Sequence, residues 1–422
     1  MISSRTSVKN LERGIETLQS AQGYPFEFEP VPLNFQGEGI PMIQERRLAE
    51  TFLSLVQIDS VSRNEAAVCQ EIEKRLQALG AETFIDDSAA KTGSDTGNLI
   101  ARFSGTVDIP SILLSAHMDT VEPGCGIRPV FENGYFRSDG STILGADDKS
   151  AIAILLEALS VIQEDRIPHG PIECVLTVCE EIGLLGAKFL DIAKIRSRIG
   201  YVLDATDTHG IITRAPGANK LTYIVHGKDA HAGAAPEKGI NAIAVACKAI
   251  AAIKLGRIDH ETTCNIGIIQ GGLATNIVPN KVVVKGEVRS HDPNKLEDIT
   301  KIMTSAFEHA VQNTQPTPEE GTVPKLEAHI ESDFVRTNIP DDHPVVKLAM
   351  AAAAELNIPL VTKTTGGGAD ANVFFSHDII TGVLGTGMKD MHTVRESVSM
   401  ADMVEATRLL LGILRLHANR SY

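Results

Sequence analysis

Residues 111–124, SILLSAHMDTVEPG, decide how the rest of the chain is read. The apolar run Ile112-Leu113-Leu114 has the character of a buried strand. It ends in His117, with Asp119 two residues on and Pro123-Gly124 turning the chain. Side chains alternate along a strand with a period of two, so His117 and Asp119 project from one face at its end. In open α/β sheets ligands bind outside the carboxyl ends of the strands. An imidazole beside a carboxylate at that place therefore points to a ligand at the sheet's edge.

Working outward, NLIARF (98–103), PIECVLTVC (171–179) and IGYVLDA (199–205) read as further core strands. KSAIAILLEALSVI (149–162) reads as a helix apolar on most of its circumference, and amphipathic helices are expected over 44–57 and about 65–79. Buried strands separated by helices predict an α/β fold: a largely parallel sheet sandwiched by helices. Between 214 and 336 the texture changes. NKLTYIVHGK, TCNIGIIQG, KVVVKGEVRS and PKLEAHI alternate like half-exposed antiparallel strands, with helices near 239–254 and 294–313, so an inserted α+β lid is expected there. The α/β texture then returns with a helix over 343–356, the glycine-rich turn TTGGGADAN, the strand IITGVLG and a last helix over 400–418. Ser399 and Asp402 give that helix a capping-box-like start. The expected division is a catalytic domain of residues 1–213 and 337–422 interrupted by a lid of residues 214–336, with residues 1–42 as an N-terminal extension.

Composition narrows the functions open to such a chain. Its 422 residues are 43% hydrophobic and 22% charged, ordinary for a globular protein with a sizeable core. A formal charge of −15 repels phosphate backbones and anionic membranes, which argues against nucleic-acid or membrane partners. Six cysteines, at 69, 125, 174, 179, 247 and 264, include no C-x-x-C pair and read as reduced thiols. The first twenty residues lack an apolar signal region, and no apolar run reaches the roughly 18 residues a membrane span needs. A cytoplasmic location is expected.

Five segments end a predicted core strand or follow one, and each carries ligand-type residues: His117 with Asp119, Asp147 and Asp148 in LGADDK, Glu180 and Glu181 in CEEIG, Asp204 in VLDATD, and His392 in GTGMKDMHTVRE. One such histidine, or one acidic pair, is ordinary in a structural turn. Together they are not, because unpaired buried charges cost several kcal/mol each and neighbouring carboxylates repel. One or two divalent cations remove that cost. Imidazoles with carboxylates suit zinc, with manganese or cobalt as substitutes.

The motifs SAHMDTV, LGADDK, VCEEIGLLGA, HAGAAPEKGINAI and HTVRESVS resemble, in order, those of the dinuclear zinc peptidases that include peptidase T, carboxypeptidase G and aminoacylase. The peptidase T-like branch is the best match, and the resemblance runs from about Gln44 to the C-terminus. It implies that His117 and Asp204 hold one zinc, that Asp147 bridges two, and that Glu181 and His392 hold the second. It further implies that Asp119 orients His117 and that Glu180 is the general base toward a metal-activated water. His231 would stabilise the oxyanion, reaching across from the other subunit of a homodimer formed through the lid, while Arg289 and Asn276 would hold substrate. A guanidinium suits a substrate carboxylate because it can bind it bidentately. The implied activity is that of an aminotripeptidase acting on short peptides. The alternatives are an amidohydrolase or carboxypeptidase acting on N-acyl or N-carbamoyl amino acids or dipeptides, and a non-catalytic peptide-binding relative.

Overall fold

The structure is a computed structural model that describes residues 31–32, 42–318 and 320–419. The expected N-terminal extension lies outside these residues apart from positions 31–32 and 42. In chain order the strands that matter here are β1 (Glu82–Ile85), β2 (Leu99–Phe103), β3 (Ile112–His117), β4 (Ile172–Thr177), β5 (Ile199–Ala205) and β6 (Gly210–Ala215). They continue with β7 (Gly217–His226), β8 (Thr262–Gly271), β9 (Lys281–Ser290), β10 (Lys325–Phe334), β11 (Val361–Thr364) and β12 (Ile380–Gly385). The main helices are α1 (Glu45–Val56), α2 (Ala66–Ala78), α3 (Ala146–Glu164), α4 (Ala242–Ala251), α5 (Pro293–Gln312), α6 (Pro344–Leu356), α7 (Asp370–Phe375) and α8 (Met400–Ala418).

The larger sheet runs β6-β12-β5-β3-β4-β2-β1, with β11 and the short strand Thr337–Asn338 also paired to β6. Its four middle strands, β12, β5, β3 and β4, are parallel. The expectation of a largely parallel sheet holds for this centre, whereas β1, β2 and β6 join their inner neighbours antiparallel. Burial accounts for the contrast. Every residue of β3 and β4 is buried, as parallel strands covered on both faces require, while no residue of β1 is. Helix α3 supplies much of that cover. It is buried without a break from Ala146 to Ile162 and packs between the sheet and helices α1 and α8.

From β3 the chain crosses through α3 to β4 on one side, then returns past β3 to β5 on the other. That reversal opens a crevice at the carboxyl end of β3, where His117 sits. The segment between β6 and the closing α/β part folds as β8-β9-β7-β10, antiparallel throughout, with a two-residue strand, Gly256–Arg257, added beside β8. Alternation on β7 turns Leu221, Tyr223 and Val225 inward against α4 and α5, and Tyr223 stacks on Phe307 with ring centroids 4.2 Å apart. The opposite face of this sheet therefore carries Lys220, Glu287 and Arg289. As expected, Ser399 caps α8, accepting the Asp402 N–H at 3.0 Å. The described cysteines are all free, and no helix among the described residues is long and apolar enough to cross a membrane.

Candidate metal centre

His117 is the last residue of β3, and Asp204 is the penultimate residue of β5. Glu180 and Glu181 follow β4 in a turn closed by the N–H groups of Gly183 and Leu184, which donate to the Glu180 carbonyl at 2.9 and 2.7 Å. Gly145, in the left-handed region at φ 75, opens α3 and places Asp147 at its amino end. His392 comes from the loop after β12.

Two overlapping groups of potential ligand atoms result. His117, Asp147 and Asp204 form one, and Asp147, Glu181 and His392 form the other, with the donor atoms of each group within 4.8 Å of one another. Asp147 belongs to both. Its Oδ1 lies 3.0 Å from His117 Nε2 and its Oδ2 lies 3.3 Å from His392 Nε2, while Glu181 Oε1 is 3.0 Å from that same nitrogen. The sequence alone left Asp147 and Asp148 equivalent. The backbone separates them, because Asp148 turns away and accepts the His117 N–H at 3.1 Å.

Burial, first of all, and then the negative charges of Asp204, Asp370 and Glu181 push the Glu180 carboxyl well above its usual range, although His117 opposes them. Asp204 is pushed up in the same way, by burial and then by Asp147. For His117, burial disfavours the imidazolium, but hydrogen bonds to Asp119 and Asp147 outweigh it and raise the ring well above its ordinary value. His392 is raised to about 10 by Asp147 and Glu181. Crowded negative charge thus raises the proton affinity of these carboxylates and imidazoles. Divalent cations offset the same charge without protons, and two imidazoles with three carboxylates match the ligand preferences of zinc, manganese and cobalt. The donor set fits such ions.

The surrounding contacts fix the donors. His117 Nδ1 donates to the Asp119 carbonyl at 3.0 Å, which leaves Nε2 facing Asp147. The Asp119 carboxylate, 3.4 Å from the same Nδ1, also accepts the backbone N–H groups of Glu180 and Glu181 at 2.9 and 3.2 Å and the Ser62 hydroxyl at 2.6 Å. Asp119 therefore positions the glutamate turn as well as the histidine.

Glu396 was not singled out from the sequence, although it lies in the HTVRESVS motif. Its buried carboxylate accepts the N–H groups of Leu144, Gly145 and Asp147 at 2.7, 2.8 and 2.9 Å, tying the loop of Asp147 to that of His392. Glu396→Ala is expected to leave every donor in place yet weaken cation binding about 10- to 100-fold. Competition against a chromophoric chelator measures this, and unchanged affinity in a folded variant would show that the tether is dispensable.

A cavity of about 640 Å³ opens onto these residues, with His117, Asp147, Glu180, Glu181, Asp204 and His392 on one side. Across it stands the free face of the second sheet, including Arg289. Asn276 and His231 do not line this cavity. They lie together on the surface of the second sheet's unit, where Ala232 N–H donates to the Asn276 carbonyl at 2.9 Å. The glycine-rich turn contributes backbone at Gly367 and Gly368 and then enters α7, whose first residues, Asp370 to Asn372, replace the end of the expected turn.

Comparison with known proteins places this arrangement among the metallopeptidases. Residues 98–216 match the family described as "Peptidase family M28", and residues 214–315 match the "Peptidase dimerisation domain". The aminopeptidase PepT from Bacillus cereus is 40% identical, with 90% of this chain and 100% of that one covered and a TM-score of 0.79. A Staphylococcus aureus tripeptidase is 38% identical over the same shares, with a TM-score of 0.82. The uncharacterized protein YqjE of Bacillus subtilis is 43% identical over 88% of this chain and 99% of its own. The chain belongs to the peptidase T family.

Proposed function

We propose that the protein is an aminotripeptidase, a cytoplasmic homodimer that releases the amino-terminal residue of short peptides with two zinc ions. The observation that carries this reading is the division of labour between neighbours. Glu181 belongs to a ligand group, while Glu180 belongs to neither and faces the same cavity. In this reading His117, Asp147 and Asp204 hold one ion, and Asp147, Glu181 and His392 hold the other. When bound, the ions polarise the scissile carbonyl and lower the pKa of water.

The protein's own groups carry the rest of the reaction. Glu180 accepts the proton of the attacking water on its carboxylate and delivers it to the leaving amine. Asp119 keeps that carboxylate in place through the backbone of the turn. Arg289 receives the substrate's carboxylate. His231 and Asn276, exposed and outside the cavity of their own chain, serve the other copy, with His231 donating to the oxyanion. The dimerisation match over 214–315 supports this assignment, as it does a lid of residues 214–336 inserted between the two parts, 1–213 and 337–422, of a catalytic domain.

Chelation followed by reconstitution with zinc, manganese or cobalt tests the reading. The apoprotein should fall to background turnover, and added zinc should restore cleavage of tripeptides ahead of dipeptides, N-acyl amino acids and N-carbamoyl amino acids. Full activity after chelation overturns the metal reading, and preferred cleavage of an N-acyl amino acid overturns the tripeptidase assignment.

A further inference from the structure

The cavity wall opposite the ligand cluster carries a charge pattern of which the proposed function uses only Arg289. On the free face of the second sheet, Lys220 of β7 is paired with Glu287 of β9, and Ala218 with Arg289. Lys220 and Arg289 are therefore diagonal neighbours on adjacent strands, close enough for long side chains to share one ligand. Both line the cavity. An acid braces each: Arg289 Nε and Nη2 donate to Glu287 Oε1 and Oε2 at 3.0 and 3.1 Å, and Lys220 Nζ lies 3.0 Å from Asp333 Oδ1. Asp333 Oδ1 also takes Lys188 Nζ at 2.5 Å, from the segment just beyond the Glu180 turn. Within the cavity lining Lys220 and Arg289 balance Glu287 and Asp333, so this wall carries no net charge where the opposite one is acidic.

Lys220 also reaches the reacting end of the cavity. A Cβ at Gly183 would come within 2.6 Å of Lys220 Nζ, so the ammonium rests on the turn whose carbonyl belongs to Glu180. An ammonium has three donor hydrogens, and one shared carboxylate oxygen does not use them all.

We propose that Lys220, positioned by Asp333, is a second cation for the terminal carboxylate of the peptide, beside Arg289, and that together they select peptide length. The inference rests on the peptidase reading and deepens it. A rigid wall fixes the distance from the cleaved bond to the carboxylate. One residue more or less moves that carboxylate by about 3.3 Å, beyond hydrogen-bond reach of a fixed donor.

The test compares trialanine with trialanine amide on the zinc-loaded protein. The wild type should prefer the free acid. Lys220→Met, which keeps the aliphatic stem, should lose about tenfold or more of that preference, through KM with little change in kcat, as expected for one charged hydrogen bond. Lys220→Arg should recover most of it. Calorimetric binding of the same two ligands to zinc-loaded Glu180→Gln should show the same ratio without turnover. An acid-to-amide ratio unchanged by Lys220→Met, or an equal loss on both ligands, overturns the proposal. Wild-type protein that cleaves acid and amide alike also overturns it but leaves the peptidase reading standing; wild-type protein that cleaves neither sinks both.

Discussion

Glu180→Gln should bind its cations about as tightly as the wild type and yet cleave tripeptides some 10²- to 10⁴-fold more slowly, the range expected when a general base is removed. The structure separates these two effects. Glu180 is outside both ligand groups, so no donor atom is lost. The turn that carries it is held through its backbone, by Asp119 at the Glu180 and Glu181 N–H groups and by Gly183 and Leu184 at the Glu180 carbonyl. A glutamine keeps the shape of the side chain and loses only its capacity to accept a proton. The amide is also neutral, in a buried site already crowded by the negative charges of Asp204, Asp370 and Glu181, so folding of the variant should not suffer. Metal content by elemental analysis, alongside kcat and KM, checks both halves. A kcat within tenfold of wild type would assign the proton transfer to another group.

Most of the candidate centre was legible because its donors sit where strand patterning ends. His117, Asp204, Glu181 and His392 each follow an apolar run short enough to recognise, and residue type did the rest. What was hidden depends on contacts between distant parts of the chain. Glu396 looks like any charged turn residue until three N–H groups from residues 144–147 converge on it. Asp119 shows its second role only once β3 and β4 lie side by side.

In the fold, the buried strands and long helices were apparent, but β1, β6 and β11 were not. Every residue of β11 is exposed, so no apolar pattern marks it. The glycine-rich turn concealed both α7 and a packing constraint. A Cβ on Gly368 would meet the Phe334 ring at 2.5 Å, a contact between residues 34 positions apart. The separation of His231 and Asn276 from the cavity is likewise a property of how the second sheet is placed, which strand alternation does not encode.

Asp147→Ala should have the broadest effect of any single substitution at the centre. Replacing Asp204 or Glu181 removes a donor from one group, whereas Asp147 offers an oxygen to each: Oδ1 beside His117 and Oδ2 beside His392. Loss of this carboxylate leaves two residues per group, His117 with Asp204 and Glu181 with His392, short of the three protein ligands typical of catalytic zinc. Bound metal should therefore fall from two equivalents to less than one, and peptide cleavage to background. Stability supplies a readout independent of turnover. A ligand that binds only the folded state at 100 times its Kd adds about 2.7 kcal/mol, so zinc should raise the Tm of the wild type clearly and that of Asp147→Ala hardly at all. The apo forms should differ less, because neither gains the contribution of a bound ion. A variant that still took up two zinc ions with native affinity would show that Asp147 does not bridge, and the two groups would then have to be independent sites.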